Sequence, residues 1–110
     1  MKRQRATQFA EQLLHRLVAG HGEWPLNVVT KVYVFGSYAR GASQPHDLDI
    51  AVDIDRTCER WPTHFYQCMC AGRSPYSVIR RALAEGARSY QFMFETGDGV
   101  DFPLTLLWQI

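Results

Sequence analysis

The chain lacks any run approaching the roughly 18 consecutive apolar residues of a membrane-spanning helix, and no apolar stretch follows Lys2, Arg3 and Arg5 to make a secretory leader. A cytoplasmic protein with no membrane partner is therefore expected. Cysteine is scarce. Cys58, Cys68 and Cys70 make an odd count without the spacing of a disulfide framework, which fits reduced thiols. Cys68-x-Cys70 near His64 lacks the second ligand pair of a zinc site, so these thiols read as packing residues on a helix. Charge of one sign is lacking too: 12 Lys and Arg face 11 Asp and Glu, a net charge of +1. That balance argues against the basic surface of a nonspecific nucleic-acid binder. Arg80 and Arg81 fit a solvated helix face, so nucleic acid is not expected as a partner. Repeats, low-complexity tracts and linkers are absent. What remains is a chain of 110 residues, 46% hydrophobic and 21% charged, expected to form a single globular domain over 1–110.

Periodicity supplies the elements. Phe9, Leu13, Leu17 and Val18 recur at helical spacing between Ala6 and Val18, with Gly20 and Gly22 as stops. The cations ahead of them oppose the helix macrodipole and read as a solvated, fraying start. Val28 to Phe35 is rich in β-branched and aromatic residues and reads as a buried strand ended by Gly36. Asp47 to Ile54 alternates, with Leu48, Ile50, Val52 and Ile54 on one face and Asp47, Asp49, Ala51 and Asp53 on the other. Trp61 to Met69 is expected to be helical, with Pro62 in its first turn. Ser74-Pro75 forms an N-cap and N1 pair for a further helix carrying Val78, Ile79, Ala82 and Leu83, with Gly86 as its stop. Gln91 to Glu95 and Val100 to Trp108 read as two strands of a hairpin around Thr96-Gly97-Asp98-Gly99. Pro103 cannot donate to a ladder, so the last strand is expected at an edge or paired only on one side near that residue. The order α-β-(short α)-β-α-α-β-β predicts an α/β (α+β) fold, a small mixed sheet with helices packed on one face.

The chemistry concentrates in Val34 to Asp53, V-F-G-S-Y-A-R-G-A-S-Q-P-H-D-L-D-I-A-V-D. Gly36 has no Cβ, so an anion can approach its backbone closely. Ser37 is placed to cap a short helix over Tyr38 to Arg40, whose free N–H groups suit phosphate, and Arg40 can neutralise phosphate charge. Asp47 and Asp49, two apart on a strand, project from one face and can share a hard cation. Two such carboxylates repel each other, and a divalent ion relieves that cost.

Gly36-Ser37-Tyr38-Ala39-Arg40-Gly41 followed by Asp47-Leu48-Asp49 resembles the signature of the DNA polymerase β-like nucleotidyltransferase superfamily, in particular its minimal nucleotidyltransferase members. That resemblance implies the nucleotidyltransferase fold, with Gly36 and Ser37 holding the phosphates of a nucleoside triphosphate, ATP by family frequency. It implies two Mg²⁺ ions on Asp47 and Asp49. A third acid on a later apolar strand would complete the site and act as base toward the acceptor hydroxyl; Asp101, in Val100-Asp101-Phe102, is the best match. The expected reaction is transfer of a nucleoside monophosphate to a hydroxyl of a protein or small molecule. Similar family members act as the antitoxin of a toxin–antitoxin pair, so a helical toxin-like protein or a second copy of the chain is the expected partner. The alternative is a catalytically inactive nucleotide- or partner-binding module of the same fold, in which Asp101 stands apart from Asp47 and Asp49.

Overall fold

Helix α1 (Arg3–Gly20) buries Ala6, Ala10, Leu13 and Leu17, a stripe repeating every three to four residues. Val18 lies off that stripe and is 64% exposed, so the expected apolar face is shifted toward the two alanines. The computed structural model, which describes residues 1–94 and 100–110, continues after α1 through a single 3-10 turn, Leu26–Val28, into strand β1 (Val29–Phe35). One helical turn, α2 (Gly36–Ala39), then precedes β2 (Leu48–Ile54). Two helices follow, α3 (Trp61–Cys70) and α4 (Ser77–Ala84), and then β3 (Tyr90–Phe94) and β4 (Thr105–Gln109).

Among the described residues the strands form one sheet in the order β3-β2-β1-β4. β1 runs antiparallel to both β2 and β4, while β2 and β3 are parallel. The sheet is therefore mixed, as the sequence predicts, but its last two strands do not form a hairpin. They occupy opposite edges. β3 is bound by the crossover through α3 and α4, which delivers it parallel to β2. Pairing with the buried central strands β1 and β2 wins over a local turn. Glu95 and the expected turn residues 96–99 lie outside the described residues. Residues 100–104 are not strand; β4 begins only after Pro103, which has no N–H to give a ladder.

One face of the sheet carries the core. Val32 and Val34 of β1 and Leu48, Ile50 and Val52 of β2 pack with Leu13 and Leu17 of α1 and Ile79 and Leu83 of α4. Each fully buried aliphatic side chain of this set is worth about 1.5–3 kcal/mol, so α1 and α4 are held on this face by burial. Arg16 fastens the two helices together: its Nε pairs with Glu85 Oε2 at 2.8 Å and its Nη1 donates to the Leu83 carbonyl at 2.7 Å. That carbonyl is among those left open at the end of α4, where Glu85 and Gly86 adopt left-handed backbone (φ 50° and 85°). The Ser74-Pro75 signal stands two residues early. Ser74 Oγ accepts the Tyr76 N–H at 3.3 Å in a turn, and the Pro75 carbonyl accepts from His64 Nε2 at 2.9 Å, so Pro75 is spent on the α3–α4 corner.

Candidate functional site

The other face of β2 carries Asp49, and the strand register determines what lies around it. Phe35, the last residue of β1, is the partner of Asp49, so the chain leaves β1 and turns into α2 directly beside that carboxylate. Gly36 makes the turn at φ 73°, a conformation that L side chains resist. Space forbids a side chain as well, because a Cβ on Gly36 would lie 2.9 Å from Asp49 Cγ and overlap the carboxylate. The glycine turn and the aspartate are in direct contact.

Ser37 is the second residue of α2 and does not cap it; the N-cap position belongs to Phe35, and no side-chain hydrogen bond serves there. The turn closes through backbone bonds from Arg40 to Gly36, Gly41 to Tyr38 and Ala42 to Ser37, at 3.0–3.1 Å. Arg40 is exposed at the end of α2. Its charge reaches Asp49: burial holds the Asp49 carboxyl above its ordinary pKa, the neighbouring Asp47 charge raises it further, and Arg40 pulls in the opposite direction. Asp47 lies in the bend one residue before β2, half-buried, and its Oδ2 accepts a hydrogen bond from Gln91 Nε2 at 3.2 Å. Gln91 is also the register partner of Asp49 on β3. The acidic pair is thus flanked by the glycine turn on one side and an amide on the other.

Asp101 is not on a strand. It is exposed in a bend ahead of β4, the strand that borders β1 on the edge away from β2 and β3. Its expected place on an apolar strand does not exist, because Pro103 delays β4 to Thr105. Among the described residues no three His, Cys, Asp or Glu side chains come together as a metal-binding group. Among the described residues, Asp47 and Asp49 are the candidate donor pair. Two partly desolvated carboxylates with unbalanced charge suit a hard, oxygen-preferring cation such as Mg²⁺, with water completing its shell. His46, next to Asp47, is exposed.

Two contributors to the site escape a local reading of the sequence. Gln91 is the one polar residue in Tyr90-Gln91-Phe92-Met93-Phe94, and that isolation is its only mark. Arg3 is the other, and it overturns the picture of a fraying, solvated helix start. Its Nη1 donates to the carbonyls of Tyr38 at 2.8 Å and Ala42 at 3.1 Å, and its guanidinium lies 4.3 Å from the Tyr38 ring centroid. Thr7 Oγ1 and the Tyr38 hydroxyl share a further bond of 2.6 Å. The first turns of α1 brace the far end of α2, opposite Gly36.

The comparisons agree with this geometry. The family model described as nucleotidyltransferase domain matches residues 22–93, which takes in the glycine turn, the acidic pair and Gln91. The chain belongs to the nucleotidyltransferase domain family. Its fold is that of a candidate nucleotidyltransferase from Sulfolobus solfataricus, known from a crystal structure, with a TM-score of 0.56 and 17% identity over 97% of this chain and 83% of that one. No curated protein sequence matches significantly. Among the described residues, no helix of this nucleotidyltransferase domain is long and apolar enough to cross a membrane.

Proposed function

We propose that this nucleotidyltransferase domain is a cytoplasmic, Mg²⁺-dependent enzyme that transfers a nucleoside monophosphate from a nucleoside triphosphate, ATP first among them, to a hydroxyl of a protein or small molecule. The observation that carries this reading is the contact between the Gly36 backbone and the Asp49 carboxylate, which supports a single site with a phosphate end and a metal end. Gly36 and Ser37 would receive the phosphates, and Arg40 would offset their charge. Asp47 and Asp49 would hold Mg²⁺, whose chemistry when bound is to balance charge on the phosphoryl oxygens. The acceptor oxygen would form its bond to the α-phosphorus as the bond to the bridging oxygen breaks, with pyrophosphate leaving and the hydroxyl proton passing to a carboxylate. Asp101 is the carboxylate proposed for that last role. The acceptor would be presented by a partner, either a helical toxin-like protein or a second copy.

Gln91 favours a second reading, in which the chain binds nucleotide and metal without transfer. It stands beside Asp49 on the strand that could have supplied a third carboxylate to the pair, and its amide cannot take a proton.

The deciding experiment is calorimetric titration of ATP with and without Mg²⁺, on the native chain and on Asp47→Asn and Asp49→Asn, followed by an assay for label transferred from α-labelled ATP. Metal-dependent binding that both substitutions weaken is expected. Binding that ignores metal and both substitutions would overturn both readings, whereas metal-dependent binding with no label transfer to any candidate partner would favour the second.

A further inference from the structure

A cavity of about 330 Å³ opens beside the glycine turn, toward β4 and so on the side of β1 away from Asp49. It is lined by Phe35, Gly36, Ala39, Arg40, Phe102 and Thr105, with Pro103 beside them. Its size falls at the small end of the about 300–1,000 Å³ of ligand pockets. The Phe35 and Phe102 rings form one aromatic wall, their centroids 4.9 Å apart and their planes tilted by 33°. Phe102 is 39% exposed on a segment without regular structure. The aromatic surface is therefore accessible. Two lining residues, Gly36 and Arg40, also belong to the turn that approaches Asp49, so the cavity joins a cationic, glycine-bounded end to an apolar, aromatic one. That combination suits a ligand with an anionic group and a flat ring within one short molecule.

We propose that this cavity receives the nucleobase of the bound nucleotide and holds it by stacking on Phe102 and Phe35, without reading its edge. The inference rests on the nucleotide-binding reading above and adds the manner in which the base is held. Among the described residues, Thr105 and Arg40 are the only polar side chains in the lining. Arg40 is occupied by phosphate in that reading, and a single threonine hydroxyl can either donate or accept, so it cannot separate adenine from guanine. Stacking on an aromatic ring tolerates any base, because every base has a π-face. ATP and GTP are then expected to bind with similar affinity.

The test compares ATP, GTP and inorganic tripolyphosphate, each with Mg²⁺, by calorimetry on the native chain, on Phe102→Ala and on Phe102→Trp. The position is exposed, and a thermal melt checks that each variant is folded. Both nucleotides should bind more tightly than tripolyphosphate. Phe102→Ala should weaken both by about tenfold or more, leave tripolyphosphate unchanged, and be rescued by Phe102→Trp. Nucleotides that bind no better than tripolyphosphate, or that ignore Phe102→Ala, would overturn the base cavity while leaving the phosphate and metal site standing. A strong preference for one base would overturn stacking without edge reading. If neither tripolyphosphate nor the nucleotides bind with Mg²⁺, the nucleotide reading itself fails.

Discussion

Gln91 donates its side-chain amide to Asp47 across 3.2 Å and lies beside Asp49 in the parallel register of β2 and β3. The amide orients one carboxylate and brings no charge of its own. Phe35 occupies the corresponding position on β1, so β3 is the neighbouring strand whose residue could add a donor to the pair. Converting Gln91→Asp places a third carboxylate there. The metal-free protein should become less stable through like-charge repulsion and the lost bond to Asp47, by about 1–3 kcal/mol. Mg²⁺ should restore the loss and bind more tightly than to the native chain. Melting curves with and without Mg²⁺ check both. Equal destabilisation in the two conditions would mean that position 91 does not face the metal.

Gly36 lies between steric and conformational limits, and Gly41 separates them. Both have positive φ, 73° and 88°, but a Cβ on Gly41 meets nothing within 4 Å. Gly36→Ala and Gly41→Ala should each lose about 1 kcal/mol or more for the left-handed backbone. Only Gly36→Ala should displace Asp49 as well, and it should weaken Mg²⁺-dependent ATP binding at least tenfold. Gly41→Ala should bind as the native chain does. Calorimetry on the pair, corrected for any difference in fold by circular dichroism, measures the contrast.

Asp49 predicts a pH dependence in the metal-free protein. Burial and Asp47 raise its folded pKa above the unfolded value, against the pull of Arg40. For a raised acid the protonated form is favoured in the fold, so its contribution is fully present below the unfolded pKa and is lost as pH rises through the folded one. Asp49→Asn should therefore melt at a higher temperature than the native chain at neutral pH, and the gap should close as pH falls below the ordinary carboxylate range. Asp55 runs in the opposite sense: bonds from Thr57 hold its pKa down, so its contribution is lost in acid, and both chains share that trend. The difference between the two melting curves isolates Asp49. A gap that is constant with pH would show that the asparagine acts through packing. Adding Mg²⁺ should stabilise the native chain at neutral pH far more than Asp49→Asn.

The legible part of the site is the part that is local in sequence. Gly36, Arg40, Asp47 and Asp49 fall within 14 residues, and a strand, a turn and a strand bring them together. The side-chain alternation of β2 is legible for the same reason, since a period of two is written residue by residue, although Ala51 on the Asp49 face is fully buried. Partner choice was not. The hairpin expected from two adjacent strand patterns ignored the parallel slot beside β2 that the α3–α4 crossover reaches, and only that slot brings Gln91 to Asp47, 44 residues away. Asp101 stands in a bend instead of on a strand, since its apolar flank runs into Pro103, which has no N–H to give a ladder. The role of Arg3 is not legible at its own helix terminus, where a cation gains nothing, because its partners are carbonyls 35 and 39 residues on.

Arg3 supplies the remaining prediction. Its guanidinium holds two carbonyls at and just beyond the end of α2 and stacks on Tyr38, so it fixes the helix turn whose other end is Gly36. Hydrogen bonds from a charged donor are worth about 1.5–3 kcal/mol, and Arg3→Ala should destabilise the fold by an amount in that range. It should also weaken Mg²⁺-dependent nucleotide binding several-fold, because α2 loses its brace although Arg3 is far along the turn from Asp49. Arg3→Lys should recover only part of either effect, since a compact ammonium does not stack on the Tyr38 ring as the planar guanidinium does. Arg5 is the control: it is exposed, lies over the Phe9 ring at 4.8 Å and is bonded to Gln8 at 3.5 Å, both on its own helix. Arg5→Ala should leave binding unchanged. If Arg3→Ala lowers the melting temperature yet binds nucleotide as the native chain does below that temperature, α2 holds its position without the brace and Arg3 serves stability alone.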